Sequence, residues 1–450
     1  MRIVTADGTP PNELPRRLRL EDHRLRYPLA GELHARPFPL VAAPSHAAFL
    51  AIKQPDDAAS RDRSRDVEHL AALLDRFGAP HPQPGATHWI GEIGRNRLKW
   101  ESHTEFVTYT LFGDGVADRP FDPRTFEEFP PDWLADAPGV RITSALVRIE
   151  PRPSEEEIEA KLSHWFVGES LAVSRVQGDC ATIAGDFRID PGGHVRFAVF
   201  VGRGTGERRV GRIVQRLCEI EVYKSMSMLG LARVREMGAD MARIDEELGA
   251  LSEEMLAEDG RADETLSHLL ATSTRLEAML ARSAFRLSAT RAYETLVSQR
   301  IEVMREERLG GRQTFAEFMS RRFDPSMRTV HAAERRLRAM ADRGMRAAEL
   351  LRTRVDVERS AQNQTLLESM NRRADAQLRL QTTVEGLSVV AISYYAVSLA
   401  LYLLAPAADE TGLGEAWVAA LVTPPVVLGV WFALRRIRQR LHASGGARRS

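Results

Sequence analysis

Apolar residues follow three regimes along the chain. Between His46 and about Gly206, short apolar runs alternate with polar turns. HAAFLAI (46–52) is a continuous run of strand length. In SRDVEHLAALLDRF (64–77), Val67, Leu70, Leu73, Leu74 and Phe77 recur at helical spacing. Residues 88–93, 97–112 and 141–149 read as strands. CATIAGDFRIDPGGHVRFAVFVG reads as a hairpin turning at Pro191-Gly192-Gly193. The mixture predicts an α+β domain over 46–206, preceded by an irregular, proline-punctuated segment over 1–45.

From Glu207 the period becomes helical. One helix is expected to run to about Ala257, where Asp259-Gly260 breaks it, and a second over Glu264–Leu309. The second carries an apolar stripe at Leu269, Leu276, Leu280, Ala284 and Leu287, spacings of three, four and seven that suit a packed seam. Gly310-Gly311 ends it and a short helix follows. A further helix starts at Asp324-Pro325, where Asp suits the N-cap and Pro the first turn. No proline follows until Pro406. A continuous helix to Leu404 would reach ~120 Å at 1.5 Å per residue, and so long a helix needs partners. Residues 207–383 are therefore expected to form a coiled-coil-like bundle or stalk that homo-oligomerises. Gln362, Asn363, Gln364 and Asn371 would set register if they lay in its seam.

The third regime is fully apolar. Val384–Leu404 (VEGLSVVAISYYAVSLALYLL) has Glu385 as its only charge, and Trp417–Leu434 (WVAALVTPPVVLGVWFAL) has none. Each is close to the ~20 residues that cross a bilayer core. Membrane helices tolerate a pair such as Pro424-Pro425 when neighbours or water satisfy the freed carbonyls. Within the first span, Ser388, Ser393, Tyr394, Tyr395 and Ser398 suit helix packing or a pore lining. Arg372, Arg373 and Arg379 precede it, and Arg435, Arg436, Arg438 and Arg440 follow the second. The loop 405–416 has Asp409, Glu410 and Glu415 and no Lys or Arg. The positive-inside rule then places both termini in the cytoplasm and the loop outside. The expected fold is thus an α+β cytosolic head, a long helical stalk and a C-terminal two-helix transmembrane hairpin over 384–434. A basic cytoplasmic tail over 435–450 closes the chain.

Composition narrows the function. The formal net charge is zero, so no global field draws the chain to nucleic acid. Cys180 and Cys218 lack metal-ligand spacing and read as free buried thiols in a reducing compartment. Residues 1–28 contain no apolar segment of signal-peptide type. Nucleophile-elbow, His-Glu-x-x-His, Cys-x-x-Cys and Walker patterns do not occur.

Several phrases resemble a bacterial family of uncharacterised, membrane-anchored proteins. They are ELHARPFP, RLKWESHTEF, GRIVQRLCEIEVY, LVSQRIEVMREER and the stretch from LLRTRVDVERS to QTTVEGLSVVAISYY. The resemblance implies a C-terminal membrane anchor, here in a bacterial inner membrane, and carries no catalytic residues. The layout is also similar to that of CorA-type magnesium transporters, whose Gly-Met-Asn signature is missing from LLAPAADETGLGEAW.

Four stretches carry candidate chemistry. In GELHARPFP, His34 and Arg36 stand as ligand-binding candidates on a backbone stiffened by Pro37 and Pro39; alternatively the segment is a rigid strap that docks Phe38. In LKWESHTEF, a strand would align Glu101, His103 and Glu105 on one face. They could bind a divalent metal or transfer protons, with His34 or His88 as a further ligand, or simply form a polar hairpin face. VGRGTGERRVGR offers Gly202, Gly204, Gly206, Arg208 and Arg209 either as a phosphate cradle at a helix start or as a plain strand–helix connection. In GDFRID, alternation puts Asp186, Arg188 and Asp190 on one ion-paired face. The sequence therefore predicts a membrane-anchored structural, sensory or adaptor protein. A filter-less CorA-like channel and a metal-dependent enzyme are the alternatives.

Overall fold

A computed structural model describes residues 22–27, 29–30, 38–55, 60–256, 262–411 and 415–445. The chain divides into two units: Met1–Ala257 with Ser267–Ala347, and Glu258–Leu266 with Ala348–Ser450.

The first unit holds β1 (Ser45–Lys53), α1 (Ser64–Arg76), β2 (His88–Ile93), β3 (Asn96–Ser102), β4 (Phe106–Asp114), α2 (Pro131–Ala135), β5 (Val140–Pro151) and α3 (Glu155–Trp165). It continues with β6 (Ala172–Val176), β7 (Ala181–Ile189), β8 (Val195–Val201), α4 (Glu207–Glu254), most of α5 (Ala262–Met304), β9 (Glu307–Arg308), α6 (Phe315–Arg322) and the start of α7 (Asp324–Thr411). The strands form one nine-stranded sheet in the order β2-β3-β4-β1-β5-β8-β7-β6-β9. Only β5 and β8 pair in parallel; the other described neighbours are antiparallel.

Both faces of the sheet are covered, which explains why β1 is apolar at consecutive positions rather than alternate ones. Ala48, Leu50 and Ile52 join Leu70, Leu73 and Leu74 of α1, Trp133 of α2 and Leu162 of α3 in one core. Ala47, Phe49 and Ala51 join Val210, Ile213, Val214 and Leu217 of α4 in the other. The start of α4 is thus part of the sheet's own core, and the first unit runs across the expected 206/207 boundary.

Two sequence readings need correction. The strand expected over 97–112 is a hairpin: β3 and β4 are joined through His103–Glu105, with Ser102 opposite Val107 and the His103 amide bonded to the Phe106 carbonyl at 2.8 Å. The alternation in GDFRID is broken by a register shift between Gly185 and Ile189, where Phe187 has φ +53°. Asp186 is consequently buried and accepts from the amide of Val167 (3.1 Å) rather than lining a surface.

In α5 the buried stripe includes Leu269, Thr272, Leu276, Met279, Ser283, Leu287 and Thr290. Leu280 and Ala284 lie off it. Small hydroxyl residues let helices approach closely: a Cβ on Gly230 of α4 would stand 2.3 Å from the Thr290 hydroxyl oxygen. Such contact rules out a larger residue at either position without a shift of the helices.

The second unit contains the rest of α7 and α8 (Glu415–Gly445). Gln362, Asn363, Gln364 and Asn371 are exposed there. The apolar stretch ending at Leu404 and the helix Ala416–Arg436 are each long and apolar enough to cross a membrane, and only 6% and 0% of their apolar windows are buried. Pro424 and Pro425 lie inside α8 without ending it.

Candidate functional site

The β3–β4 hairpin places charge in an apolar layer. Leu98 and Trp100 point to the α1–α3 side, so Lys99 and Glu101 point to the α4 side. Lys99 is 4% exposed and Glu101 8%. Neither charge is tolerated there without partners. Lys99 Nζ lies 3.0 Å from Glu101 Oε2 and donates to Gln215 Oε1 of α4 at 2.8 Å. Gln215 Nε2 donates to Glu219 Oε1 at 2.7 Å, and Glu219 is paired with Arg300 of α5. Burial works against the Arg300 charge, but Glu219 holds the guanidinium above its usual range. Together these contacts form a chain of alternating donors and acceptors from the sheet to the second helix beneath it.

Glu105 begins a second cluster at the tip of the same hairpin. It is 1% exposed and pairs with Arg286 of α5, while the Tyr293 hydroxyl donates to its Oε1 at 3.2 Å. Burial pushes the Tyr293 phenol up to about 12, so it stays a donor throughout the physiological range. Tyr293 stacks on Tyr223 of α4 with centroids 5.8 Å apart. His103 stacks on Phe106 at 4.4 Å and meets Tyr223 edge-on at 6.5 Å. On the other side of the turn, Arg61 donates to the carbonyls of Thr104 and Phe106, to Ser102 Oγ, and to Asp66 Oδ2 at 2.6 Å. Between the clusters, Lys99, Glu101, His103, Gln215, Glu219 and Tyr223, together with the apolar Phe49, Phe112 and Val222, line a small cavity with room for about one water molecule.

The expected metal ligands are therefore divided. Glu101 faces Lys99, Glu105 faces Arg286, and His103 lies against aromatic rings. The hairpin turn is the physical reason, because it ends the alternation that would have aligned all three. Glu101 does sit directly opposite His88 in the β2–β3 register. Among the described residues, no group of three or more His, Cys, Asp or Glu side chains is placed to hold a metal ion.

A family model described as "Protein of unknown function (DUF3422)" matches residues 21–441. The chain belongs to this family. No curated protein and no solved structure matches it.

In this family member the glycine-rich stretch is a tight link between β8 and α4. The amide of Gly202 donates to the Cys180 carbonyl at 2.8 Å, and that of Thr205 to the Gly202 carbonyl at 3.2 Å. Gly204 has φ +76° and Gly206 starts the helix. Arg208 is exposed, whereas Arg209 donates to Cys180 Sγ at 3.0 Å. Cys218 is fully covered, and burial pushes its thiol well up.

His34 and Arg36 lie outside the described residues. The end of their stretch is described, and Pro39 rather than Phe38 is its docked residue. A Cβ on Gly211 of α4 would stand 1.8 Å from the Pro39 carbonyl oxygen. Val41 donates to the Glu207 carbonyl at 3.2 Å and Arg97 to the Leu40 carbonyl at 3.0 Å. Phe38 stays half-exposed under the Arg212 guanidinium, 5.8 Å away.

Sequence reasoning singled out the phrases RLKWESHTEF, GRIVQRLCEIEVY and LVSQRIEVMREER but missed that they meet. Lys99, Gln215, Glu219 and Arg300 come from these three phrases, and Arg286 and Tyr293 from the helix just before the third. A signal was present: Gln215 and Glu219 stand four apart on the helix face that carries Gly211, Cys218 and Val222.

Proposed function

We propose that this protein is anchored in a lipid bilayer by a hairpin of two spans, Val384–Leu404 in α7 and Trp417–Leu434 in α8. Its sheet-bearing unit then acts in the cytoplasm as a structural, sensory or adaptor component. The observation that carries the reading is the almost complete exposure of both apolar helices. Tyr402 is 81% exposed, Leu421 80% and Trp417 75%. Large side chains displayed in this way along two ~20-residue runs are unfavourable in water and suited to hydrocarbon. The arginines before the first span and after the second, against the acidic loop between them, favour an inner-membrane orientation with both ends inside.

Self-association through α7 belongs to the same reading. Leu366, Leu367, Met370 and Leu378 are each more than 60% exposed, ahead of the span. Two copies anchored in one membrane would present these residues side by side. The ionic layer under the β3–β4 hairpin serves such a protein by holding the sheet and its helices in a single register. Charged groups desolvated in pairs tolerate no slippage.

The test is flotation and alkaline carbonate extraction of the full chain, combined with cysteine labelling. The chain should float with membranes and resist carbonate. A cysteine at Gly414→Cys should react with an impermeant maleimide from outside, and one at Ser444→Cys only after permeabilisation. Carbonate release, or the reverse labelling pattern, overturns the reading.

A further inference from the structure

Beyond the anchor itself, the two cytoplasmic ends of the hairpin differ in their charge chemistry. From Ala416 to Ser450 there is no acidic residue, while Arg435, Arg436, Arg438, Arg440, Arg448 and Arg449 are all basic. The approach to the first span is mixed: Arg372, Arg373 and Arg379 alternate with Glu368, Asp375 and Glu385. Arg372 is already within 3.9 Å of Glu368. Arg435 and Arg436 are exposed, and no described carboxylate pairs with either. The Arg435 guanidinium lies over the ring of Trp431, 5.0 Å from its centroid. Trp431 is itself 46% exposed. A tryptophan one turn before two arginines, at the end of an apolar helix with none of its apolar window buried, joins an interfacial anchor to an unneutralised positive charge.

We infer that the cytoplasmic end of α8, centred on Trp431, Arg435 and Arg436, binds the headgroups of anionic phospholipids, and that the corresponding end of α7 does not. The occupant follows from charge complementarity. Phosphate accepts from guanidinium in the forked geometry that arginine presents, and a headgroup whose phosphate is not neutralised by a choline cation adds net attraction for a patch that holds no anion of its own. At α7 the protein's own carboxylates already meet the arginines. The inference rests on the membrane reading above, since it needs α8 to end at the cytoplasmic headgroup layer.

The experiment uses the full chain in vesicles of phosphatidylcholine with about one-fifth phosphatidylglycerol by mole, which makes the surface negative. Trace spin-labelled phosphatidylglycerol and phosphatidylcholine report the lipid held against the protein. The wild-type chain should restrict the anionic label several-fold more than the neutral one, and high salt should reduce the difference. Arg435→Gln/Arg436→Gln should bring the two labels to parity, whereas Arg372→Gln/Arg373→Gln should keep the preference. Equal restriction in the wild type, or a preference that survives Arg435→Gln/Arg436→Gln, overturns the inference and leaves the anchor standing. If neither label is restricted and the chain fails to float, the anchor falls and the inference with it.

Discussion

Glu105 and Arg286, 181 positions apart, form an ion pair between the tip of the β3–β4 hairpin and α5. Arg286 also donates to the Met226 carbonyl of α4 at 3.4 Å, so one guanidinium joins the sheet to two helices. The Glu105 carboxylate has almost no contact with water, and Arg286 is mostly covered. Removing one partner strands the other charge. Arg286→Met should cost about 3–5 kcal/mol of stability, and adding Glu105→Gln should recover part of that loss. Denaturant unfolding of the two variants checks it; equal losses would show that the pair is not the relevant interaction.

Gly211 makes a sharper steric prediction. Its missing side chain is where the Pro39 carbonyl sits. Gly211→Val should push Phe38–Val41 off α4, break the Val41–Glu207 bond, and cost roughly 1–3 kcal/mol by overpacking. Hydrogen exchange at the Val41 amide should rise in the variant. Unchanged protection there would mean that α4 moves instead of the segment.

His69 predicts a pH dependence. Its Nε2 faces the Trp133 carbonyl oxygen at 3.0 Å, which can only accept, so Nε2 holds the proton and Nδ1 accepts from the Tyr109 hydroxyl at 2.8 Å. Burial lowers its pKa below the usual 6.5. Above that pH the imidazole is neutral both folded and unfolded, and its contribution is complete. As pH drops below about 6.5, the unfolded chain takes up a proton that the folded chain resists, and stability declines toward the lowered folded value. His69→Gln keeps a donor and an acceptor but does not titrate. Melting curves from pH 7.5 to 5.5 should show a shallower decline in the variant; parallel curves would remove His69 from the account.

In the membrane spans, a charge should block insertion. Leu428 is 63% exposed near the centre of the second span. Leu428→Arg should cost about 2.5–3.5 kcal/mol of insertion free energy and shift protein into the carbonate-soluble fraction, which quantitative blotting can follow. The same gain of one positive charge on the exposed surface of α1, as in Ala72→Arg, should leave that fraction unchanged.

Much of the fold was legible because the signals are local. The apolar runs at 46–52 and 88–93 became β1 and β2, the helical spacing at 64–77 became α1, and Pro191-Gly192-Gly193 became the β7–β8 turn. The errors also had local causes. No residue between 97 and 112 is glycine or proline to announce a turn, so nothing local distinguishes the hairpin at His103–Glu105 from one long strand. The positive φ at Phe187 is carried by a residue type that seldom adopts it, so nothing in GDFRID announced the bulge.

The candidate site was half legible. RLKWESHTEF stood out as a dense polar phrase, but its partners did not. Periodicity, composition and flanking charge determined the mixed head, the long helices and the two apolar runs, because each depends only on neighbouring residues. Lys99 and Glu101, two apart on β3, share a face by alternation; what the tertiary structure alone decided is which distant cation faces which carboxylate, Arg300 with Glu219 and Arg286 with Glu105. A buried charge must be neutralised wherever the fold brings an opposite charge within reach, and sequences separated by 81 or 181 positions hold no record of that distance.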